Sequence, residues 1–389
     1  MLDIPTYRMY QELAKAHLPS WRLYQRHQVE FFSLSMLPQL RAMVDTMHEG
    51  RFDIFMQEVG GLTEGELRLF IDVCMDIIEF QRVHFPTFAP IVPLNALLAI
   101  FIIYRKILAL KKDFRTLLEI GPGCGYLPFF LKRQHRDLVN YSQIEAAESF
   151  YLLQHHISEY LYGARFGQKV FPNEGSFARF YGSEFIGVTS EPAERVDSVI
   201  ISPPAKPKVV FQHPWWRIGE LMTSNAQFEI VMSNANLLEF TPVALKDYLT
   251  LINAKLAPNG LFFVQCFGGG VGGGPEGIPV ALQRLYEFGF APLFLALRDE
   301  GMVKGSARWM THGNYMGIKP GDKRAFTLSN AVFINNKHEL FEEYYRRENY
   351  RDFFFAPLPN LREAFFADTT ERRLYSKTEL TDALLKALS

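Results

Sequence analysis

The chain has 389 residues, enough to bury a large core and to hold two or three domains. Its 41 basic and 42 acidic residues give a net charge of −1, so the sequence lacks the basic excess that is typical of nucleic-acid-binding proteins. Three widely spaced cysteines form neither a disulfide framework nor a zinc motif, which indicates a reducing compartment.

The amino terminus has neither the basic nor the apolar segment of a signal peptide. The most apolar run, residues 91–104, is interrupted by Pro93 and Asn95. It is shorter than the roughly 20 residues that cross a bilayer. We therefore expect a soluble, cytoplasmic protein without a membrane span.

Residues 1–110 have the pattern of a helical region. Thr63 and Glu66 form a candidate capping box, and apolar residues recur at helical spacing from Leu67 to Ile78. Such a region serves either as a cap over a site or as a dimerisation element, and the sequence leaves both open.

A glycine-rich turn follows the first predicted strand, Thr116–Ile120. Gly121, Gly123 and Gly125 lack Cβ atoms, so the backbone can turn sharply and a ligand can approach it closely. A helix is predicted from Tyr126 onward, and its first N–H groups would face the turn. This arrangement suits a nucleotide-type cofactor; the alternative is a turn without a ligand.

The spacing of the glycines helps to choose the cofactor. A dinucleotide fold requires G-x-G-x-x-G, but here the third glycine comes one position early and Tyr126 takes its place. With Glu119 two residues before Gly121, the segment E-x-G-x-G-x-G resembles motif I of the class I S-adenosylmethionine-dependent methyltransferases. The resemblance implies that S-adenosylmethionine binds at this motif, whose candidate residues are Glu119, Gly121, Pro122, Gly123, Gly125 and Tyr126.

A second strand is predicted over residues 138–144 and ends at Glu145. A carboxylate at this position of a nucleotide-binding fold accepts hydrogen bonds from the ribose hydroxyls. The residues Glu145-Ala146 also resemble the methyltransferase pattern at this point. The alternative role for Glu145 is to stabilise the amino terminus of the next helix.

The strand predicted at 196–202 ends in Ser202-Pro203-Pro204. This ending resembles the N/D/S-P-P-aromatic motif with which amino-directed methyltransferases receive an amine. Ala205 stands where that motif has an aromatic residue. The segment therefore keeps an amine acceptor open as an alternative.

The order strand 228–233, polar loop, helix 243–256, Pro-x-Gly turn and strand resembles the fourth and fifth strands of class I methyltransferases. This correspondence of elements makes residues 196–202 the third strand and residues 163–195 an insertion before it. The resemblance adds Ser202, Ser233 and Asn234 to the candidate cofactor-binding residues.

Further elements complete the predicted sheet. Six glycines lie among the seven residues 268–274, which we interpret as a lid or else a surface linker. A helix at 279–288 and strands at 290–297 and 326–335 supply the sixth and seventh strands, and residues 337–389 form a helical tail.

The predicted fold class is α/β, with a Rossmann-like, seven-stranded, mostly parallel sheet that carries helices on both faces. The resemblance covers about residues 110–336. It implies three parts, namely a helical region at 1–110, a methyltransferase domain at 111–336 and a helical carboxy-terminal tail at 337–389.

A narrower resemblance is to sugar O-methyltransferases, which have a Ser-x-x-Glu-Met-like segment after the fourth strand. Here Asn236 replaces the serine, Phe240 replaces the methionine and Glu239 is kept. It implies a small-molecule hydroxyl acceptor, such as a sugar, with Glu239 as the general base. A carboxylate needs partial desolvation for that role.

Other residues leave alternatives for the catalytic role. His213 and His312 lie in predicted loops beside aromatic residues, and each is either a base or a structural histidine. Trp215-Trp216 would suit a sugar face or an ordinary core. No carboxylate pair identifies a divalent metal, so a metal requirement stays open. Two other functions also stay open: an amine-, protein- or nucleic-acid-directed methyltransferase, with nucleic acid disfavoured by the charge, and a noncatalytic cofactor-binding scaffold.

Overall fold

The computed structural model describes residues 2–17, 34–44, 50–170, 177–181, 184–188, 207–234, 236–237, 240, 242–267, 284–299, 309–310, 326–345 and 371–389. None of the helices within these ranges is both long and apolar enough to pass through a membrane.

The described residues of the amino-terminal region are mostly helical. Its helices are α1 (Ile4–His17), a 3₁₀ helix (Leu37–Met43), α2 (Phe52–Val59), α3 (Glu64–His84) and α4 (Leu94–Leu110). The predicted capping box is present at the start of α3. Thr63 Oγ1 accepts from the Glu66 N–H at 3.2 Å, and the Glu66 carboxylate accepts from the Thr63 N–H at 2.9 Å. Two otherwise unpaired N–H groups are thereby satisfied.

The strands form one large sheet and one hairpin. The sheet strands are β1 (Thr116–Ile120), β2 (Asn140–Glu145), β3 (Phe166–Gln168), β6 (Val210–Pro214), β7 (Phe228–Asn234), β8 (Leu256–Phe267), β9 (Phe290–Asp299), β10 (Trp309–Met310) and β11 (Phe326–Asn335). The hairpin pairs β4 (Phe177–Tyr181) with β5 (Glu184–Val188).

The sheet order is β10-β9-β11-β8-β7-β1-β2-β6-β3. In this spatial order, the neighbouring strands β8, β7, β1, β2, β6 and β3 all run parallel to one another. The strand β11 runs antiparallel to both β8 and β9. The chain builds outward from β1 in one direction with β2 and β6 and then in the other with β7 and β8. The order therefore reverses between β1 and β7, which is where open α/β sheets bind ligands.

The remaining helices are α5 (Leu127–Gln134), α6 (Glu148–Tyr162), α7 (Ile218–Thr223), α8 (Pro242–Lys255), α9 (Phe341–Tyr344) and α10 (Lys377–Leu388), with a 3₁₀ helix at Trp215–Arg217. The carboxy-terminal part reaches back to the amino-terminal helices. Leu62 and Arg373 exchange two backbone hydrogen bonds, and Arg372 pairs with Glu66 at 3.3 Å.

One prediction about the sheet is wrong. It has nine strands among the described residues instead of seven, because the short edge strands β3 and β10 extend it. The position beside β2 belongs to β6, in the register Tyr141–Val210 to Glu145–Pro214. Residues 196–202, predicted as the third strand, lie outside the described part of the chain, as does the glycine run at 268–274.

Candidate functional site: the glycine turn and the ends of the central strands

The glycine turn lies at the carboxyl end of β1, in the middle of the parallel strands. Gly121, Gly123 and Gly125 have φ angles of 66°, 59° and 71°, a left-handed conformation that other residues rarely adopt. The Gly121 N–H donates to the Ile144 carbonyl at 2.8 Å, which fixes the turn against β2. The left-handed conformation of the backbone therefore explains why glycine occupies all three positions.

The space beyond each glycine differs. A Cβ at Gly121 would lie 1.8 Å from Asn236 Nδ2, and a Cβ at Gly125 would lie 2.4 Å from Gln154 Cγ. At Gly123, no atom of the described residues would come within 4 Å. Gly121 and Gly125 thus admit neighbouring side chains of the protein, whereas Gly123 borders open space that a ligand can occupy.

Glu145 lies at the end of β2, beside this turn, and is buried. One carboxylate oxygen accepts from the N–H groups of Ala146 and Ala147 at 2.8 and 2.9 Å. The other accepts from Gln154 Nε2 at 3.1 Å and from the Gly123 N–H at 3.3 Å. These donors match the roughly four acceptor positions of a carboxylate. Burial raises the pKa of Glu145, and its hydrogen bonds counteract that rise.

Glu119 lies in β1 and is 1% exposed. Tyr141 on the neighbouring strand donates its hydroxyl to the carboxylate, and Gln143 donates to the Tyr141 hydroxyl at 2.8 Å. Burial raises the pKa of Glu119 to about 7, and the nearby charge of Glu145 adds to the rise. The structure therefore places this carboxyl in the core beside the turn, where burial favours its protonated form.

The end of β7 meets the turn from the other side. The Asn236 amide donates to the carbonyls of Ile120 and Gly121 at 2.7 and 3.1 Å, and Ser233 donates its hydroxyl to Asn236 Oδ1. Ser233 is buried, whereas Asn234 and Asn236 are half-buried at the edge of the sheet. The candidate residues Ser233 and Asn234 therefore lie on the strand next to the turn.

The other side of the turn packs on the amino-terminal region. Tyr126 is buried and donates its hydroxyl to the Val44 carbonyl at 2.5 Å, and Cys124 Sγ lies 3.3 Å from the Met43 carbonyl. Pro122 is also buried. The hydroxyl of Tyr126 thus holds the chain that precedes α2 against the turn.

His213 was predicted to lie in a loop. It lies within β6, because that segment pairs with β2. It is 4% exposed, and burial lowers the pKa of its imidazole to about 4. A general base works best when its pKa is near the working pH, so His213 is poorly suited to that role. Trp215 and Trp216 are each 1% exposed, so their rings face the interior.

Three other candidates, Glu239, His312 and Ser202, lie outside the described residues. Within the described ranges, no group of three or more His, Cys, Asp or Glu side chains is arranged to hold a metal ion.

The structure adds two residues that the sequence analysis did not assign to the turn. Gln154 donates to the Gly123 carbonyl at 2.6 Å as well as to Glu145, and Asn236 joins β7 to β1. Gln154 gives a weak signal in the sequence, since it is an amide on the apolar side of a predicted helix. In the sequence, Asn236 stands out only because it replaces the serine of the Ser-x-x-Glu-Met-like segment.

Comparisons with known proteins give matches to solved structures only; no family model matches the chain, and no curated protein does. The SAH-bound methyltransferase PaMTH1 of Podospora anserina shares 14% identity over 54% of this chain and 65% of its own, just under two thirds, with a TM-score of 0.30. A TehB-like SAM-dependent methyltransferase of Corynebacterium glutamicum shares 12% over 60% and 86%, with a TM-score of 0.32.

A SAM-dependent methyltransferase of Thiobacillus denitrificans, in complex with S-adenosyl-L-homocysteine, shares 9% identity over 60% of this chain and 90% of its own, with a TM-score of 0.32. All three TM-scores lie below 0.5, so these likenesses do not establish what this chain binds or catalyses.

Proposed function

We propose that this protein is an S-adenosylmethionine-dependent methyltransferase. The observation that carries the proposal is the open space at Gly123, in a left-handed turn at the point where the strand order reverses. A ligand in this space contacts the backbone of Gly123 directly. The Glu145 carboxylate lies beside it, because it accepts a hydrogen bond from the Gly123 N–H. This is the chemistry of a nucleoside ligand whose chain lies on the turn and whose ribose lies at the end of β2.

Two features favour this cofactor over a dinucleotide. In the dinucleotide fingerprint a third glycine lets the helix pack closely on the strand, but here that position is Tyr126. The sheet also departs from the dinucleotide order 3-2-1-4-5-6, because the antiparallel β11 lies between β8 and β9. The motif with Glu119, Gly121, Pro122, Gly123 and Gly125 supports the methyltransferase instead.

In this proposal Glu145 holds the ribose. Its oxygen that faces the turn has its longest hydrogen bond with the Gly123 N–H, at 3.3 Å. Ribose hydroxyls replace that contact and the contact from Gln154, while the Ala146 and Ala147 N–H groups keep the carboxylate in place. One carboxylate oxygen of Glu145 then stabilises the amino terminus of the next helix, and the other binds the ribose. Both roles considered for Glu145 are therefore compatible.

The first test is binding of the cofactor product. We expect isothermal titration calorimetry to show binding of S-adenosylhomocysteine to the wild-type protein and no comparable binding of NAD. Tight binding of NAD with none of S-adenosylhomocysteine would overturn the proposal.

For the acceptor, we propose a small-molecule hydroxyl, such as that of a sugar. Bound S-adenosylmethionine would supply the sulfonium methyl group, which would pass in line to the hydroxyl oxygen and leave S-adenosylhomocysteine as the neutral thioether. The Glu239 carboxylate takes the hydroxyl proton. Positioning alone can supply about 7–11 kcal/mol of the barrier in the best oriented cases, and a general base adds roughly 10²–10⁴-fold. In this proposal the catalytic domain is residues 111–336, and a divalent-metal requirement stays open.

Paired variants separate this acceptor from an amine. With a hydroxyl acceptor, we expect Glu239→Gln to keep S-adenosylhomocysteine binding, because its shape is kept, and to lose roughly 10²–10⁴-fold in single-turnover methyl transfer. Ser202→Ala should then change little. With an amine acceptor held by Ser202-Pro203-Pro204 the pattern is reversed.

Two results would contradict both assignments in different ways. Near-wild-type rates for both variants would move the search for a base to His312. Cofactor binding without methyl transfer to any hydroxyl or amine acceptor would favour a noncatalytic scaffold.

A further inference from the structure

The helix α1 has one buried face. Ile4, Tyr7, Gln11 and Ala14 are each at most 5% exposed, and their spacing places them on one side of the helix. Met9 and Leu13, on the other side, are 58% and 40% exposed. The face that α1 presents to the protein therefore contains a tyrosine hydroxyl and a glutamine amide as well as apolar groups.

This face lies against the elements that leave the carboxyl ends of β2 and β6. The Tyr7 ring lies 5.0 Å from the Tyr151 ring in α6 and 5.1 Å from the Trp216 ring, measured between centroids. Arg8 forms a hydrogen-bonded ion pair with Glu148, at the start of α6, with a shortest distance of 2.6 Å. Since Glu145 and Pro214 are paired in the sheet, α1 covers the ends of two adjacent parallel strands.

Polar atoms in this contact lack partners. Tyr7 Oη, Gln11 Nε2 and Trp216 Nε1 are buried, and none has a hydrogen-bond partner among the described residues. The large majority of buried side-chain polar atoms in proteins are hydrogen-bonded, and an orphan needs an explanation such as an absent ligand or water. Buried polar atoms without a described partner also occur elsewhere, for example on Asn95 and His156. The three at this contact differ because they are all donors on two elements in direct contact, so one ligand that supplies acceptors can satisfy them together.

The position fits the far end of the cofactor. Along the sheet edge, the glycine turn follows β1, Glu145 ends β2 and Trp216 follows β6. A nucleoside with its ribose at Glu145 and its chain on the turn extends its base toward Trp216. A purine has ring nitrogens that accept hydrogen bonds and a flat face that stacks on aromatic rings. The methyl acceptor must instead approach the turn, on the side of β7.

We propose that α1 is a wall of the ligand site, and that the Tyr7 hydroxyl, the Trp216 indole and the Gln11 amide bind the base of the nucleoside whose ribose Glu145 holds. This rests on the proposed function. Because Tyr7 and Trp216 are at most 1% exposed, the base enters when α1 moves outward, and the ion pair of the half-exposed Arg8 with Glu148 holds α1 when it returns.

The test is Tyr7→Phe in the full chain, with Tyr10→Phe as the matched control on the same helix. The probes are S-adenosylhomocysteine and 5′-methylthioadenosine, which keeps the nucleoside but lacks the amino-acid end. We expect Tyr7→Phe to bind both probes roughly three- to tenfold more weakly, the share of one neutral hydrogen bond. Without ligand, its Tm should stay equal or rise, because a buried orphan hydroxyl is removed. Tyr10→Phe should match the wild type.

Each other outcome is decisive. If the wild type and Tyr7→Phe bind both probes equally, α1 is packing alone, while the proposed function stands. A fall in Tm with unchanged affinity of the folded protein overturns the inference in the same way. If the wild type binds neither probe, the proposed function fails and the inference fails with it. Gln11→Leu, which removes another of the orphan groups, should repeat the Tyr7→Phe pattern.

Discussion

Replacing Gly123 with alanine should weaken S-adenosylhomocysteine binding by roughly 5- to 150-fold, which corresponds to the 1–3 kcal/mol that one extra carbon costs in a packed site. The reason is geometric. The new Cβ meets no atom of the described protein within 4 Å, so it can clash only with what occupies the open space. The corresponding changes at Gly121 and Gly125 would strike Asn236 and Gln154, and their effects on folding and binding could not be separated.

Gly60→Ala is the matched control for this experiment. Gly60 ends α2 with a φ of 67°, close to the 59° of Gly123, and a Cβ there also meets no described atom within 4 Å. Both variants should lose about 1–2 kcal/mol of unfolding free energy, the cost of a left-handed alanine. Only Gly123→Ala should lose affinity in calorimetry. If Gly123→Ala binds as the wild type does, the ligand site is elsewhere.

The elements that the sequence predicts well have local signals. The strand Thr116–Ile120 agrees with its predicted bounds, because a short apolar run between charged residues and glycines leaves few alternatives. The capping box at Thr63 is equally local, since its two hydrogen bonds join residues three positions apart.

The strand beside β2, β6, was not predicted, because its stability is not local. Residues 196–202 are more apolar than β6, whose last residues are Gln212, His213 and Pro214. In the structure, Gln212 lies in the core and donates to the Tyr151 carbonyl at 2.8 Å. A glutamine whose partner is 61 positions away leaves no pattern in its own segment. The edge strands β3 and β10, of three and two residues, are too short to show a period.

The candidate site likewise contains features that local sequence predicts and contacts that it does not predict. The backbone of the glycine turn and the position of Glu145 follow from spacing, because positive φ angles and strand ends are local features. The contacts of Gln154 and Asn236 with the turn depend on the packing of α6 and β7, and are visible only in three dimensions. The hydroxyl base, Glu239, lies outside the described residues and stays a prediction.

Glu119 should make the free energy of unfolding fall as the pH rises from about 4.5 to 7. Burial raises its pKa to about 7 in the folded protein, from an ordinary value of 4.5. Between these values the native state retains a proton that the unfolded state releases. The stability contributed by the neutral carboxyl is complete below the unfolded pKa and is lost by pH 7, in total roughly 3 kcal/mol at 1.36 kcal/mol per pKa unit.

The measurement is urea denaturation of the wild type and Glu119→Gln across this range. The amide keeps an acceptor for the Tyr141 hydroxyl but does not ionise, so the variant should match the wild type near pH 4.5 and exceed it at pH 8. The difference between the two proteins is needed because other groups oppose the trend. Burial lowers the pKa values of His155, His156 and His213 to about 3, 4 and 4, and their stabilising contribution is lost as the pH falls below 6.5.

Glu229→Gln serves as a control of opposite sign. The Glu229 carboxylate accepts from the N–H groups of Arg115 and Thr116 and pairs with Lys111, and together these contacts hold its pKa below the usual value. Its stabilising effect is present at neutral pH and is lost as the pH falls through its folded pKa. Glu229→Gln should therefore be less stable than the wild type at pH 7 and should converge with it in acid. Parallel stability curves for the wild type and Glu119→Gln would show that Glu119 titrates normally, and that the polar contacts of Tyr141 and Gln143 outweigh its burial.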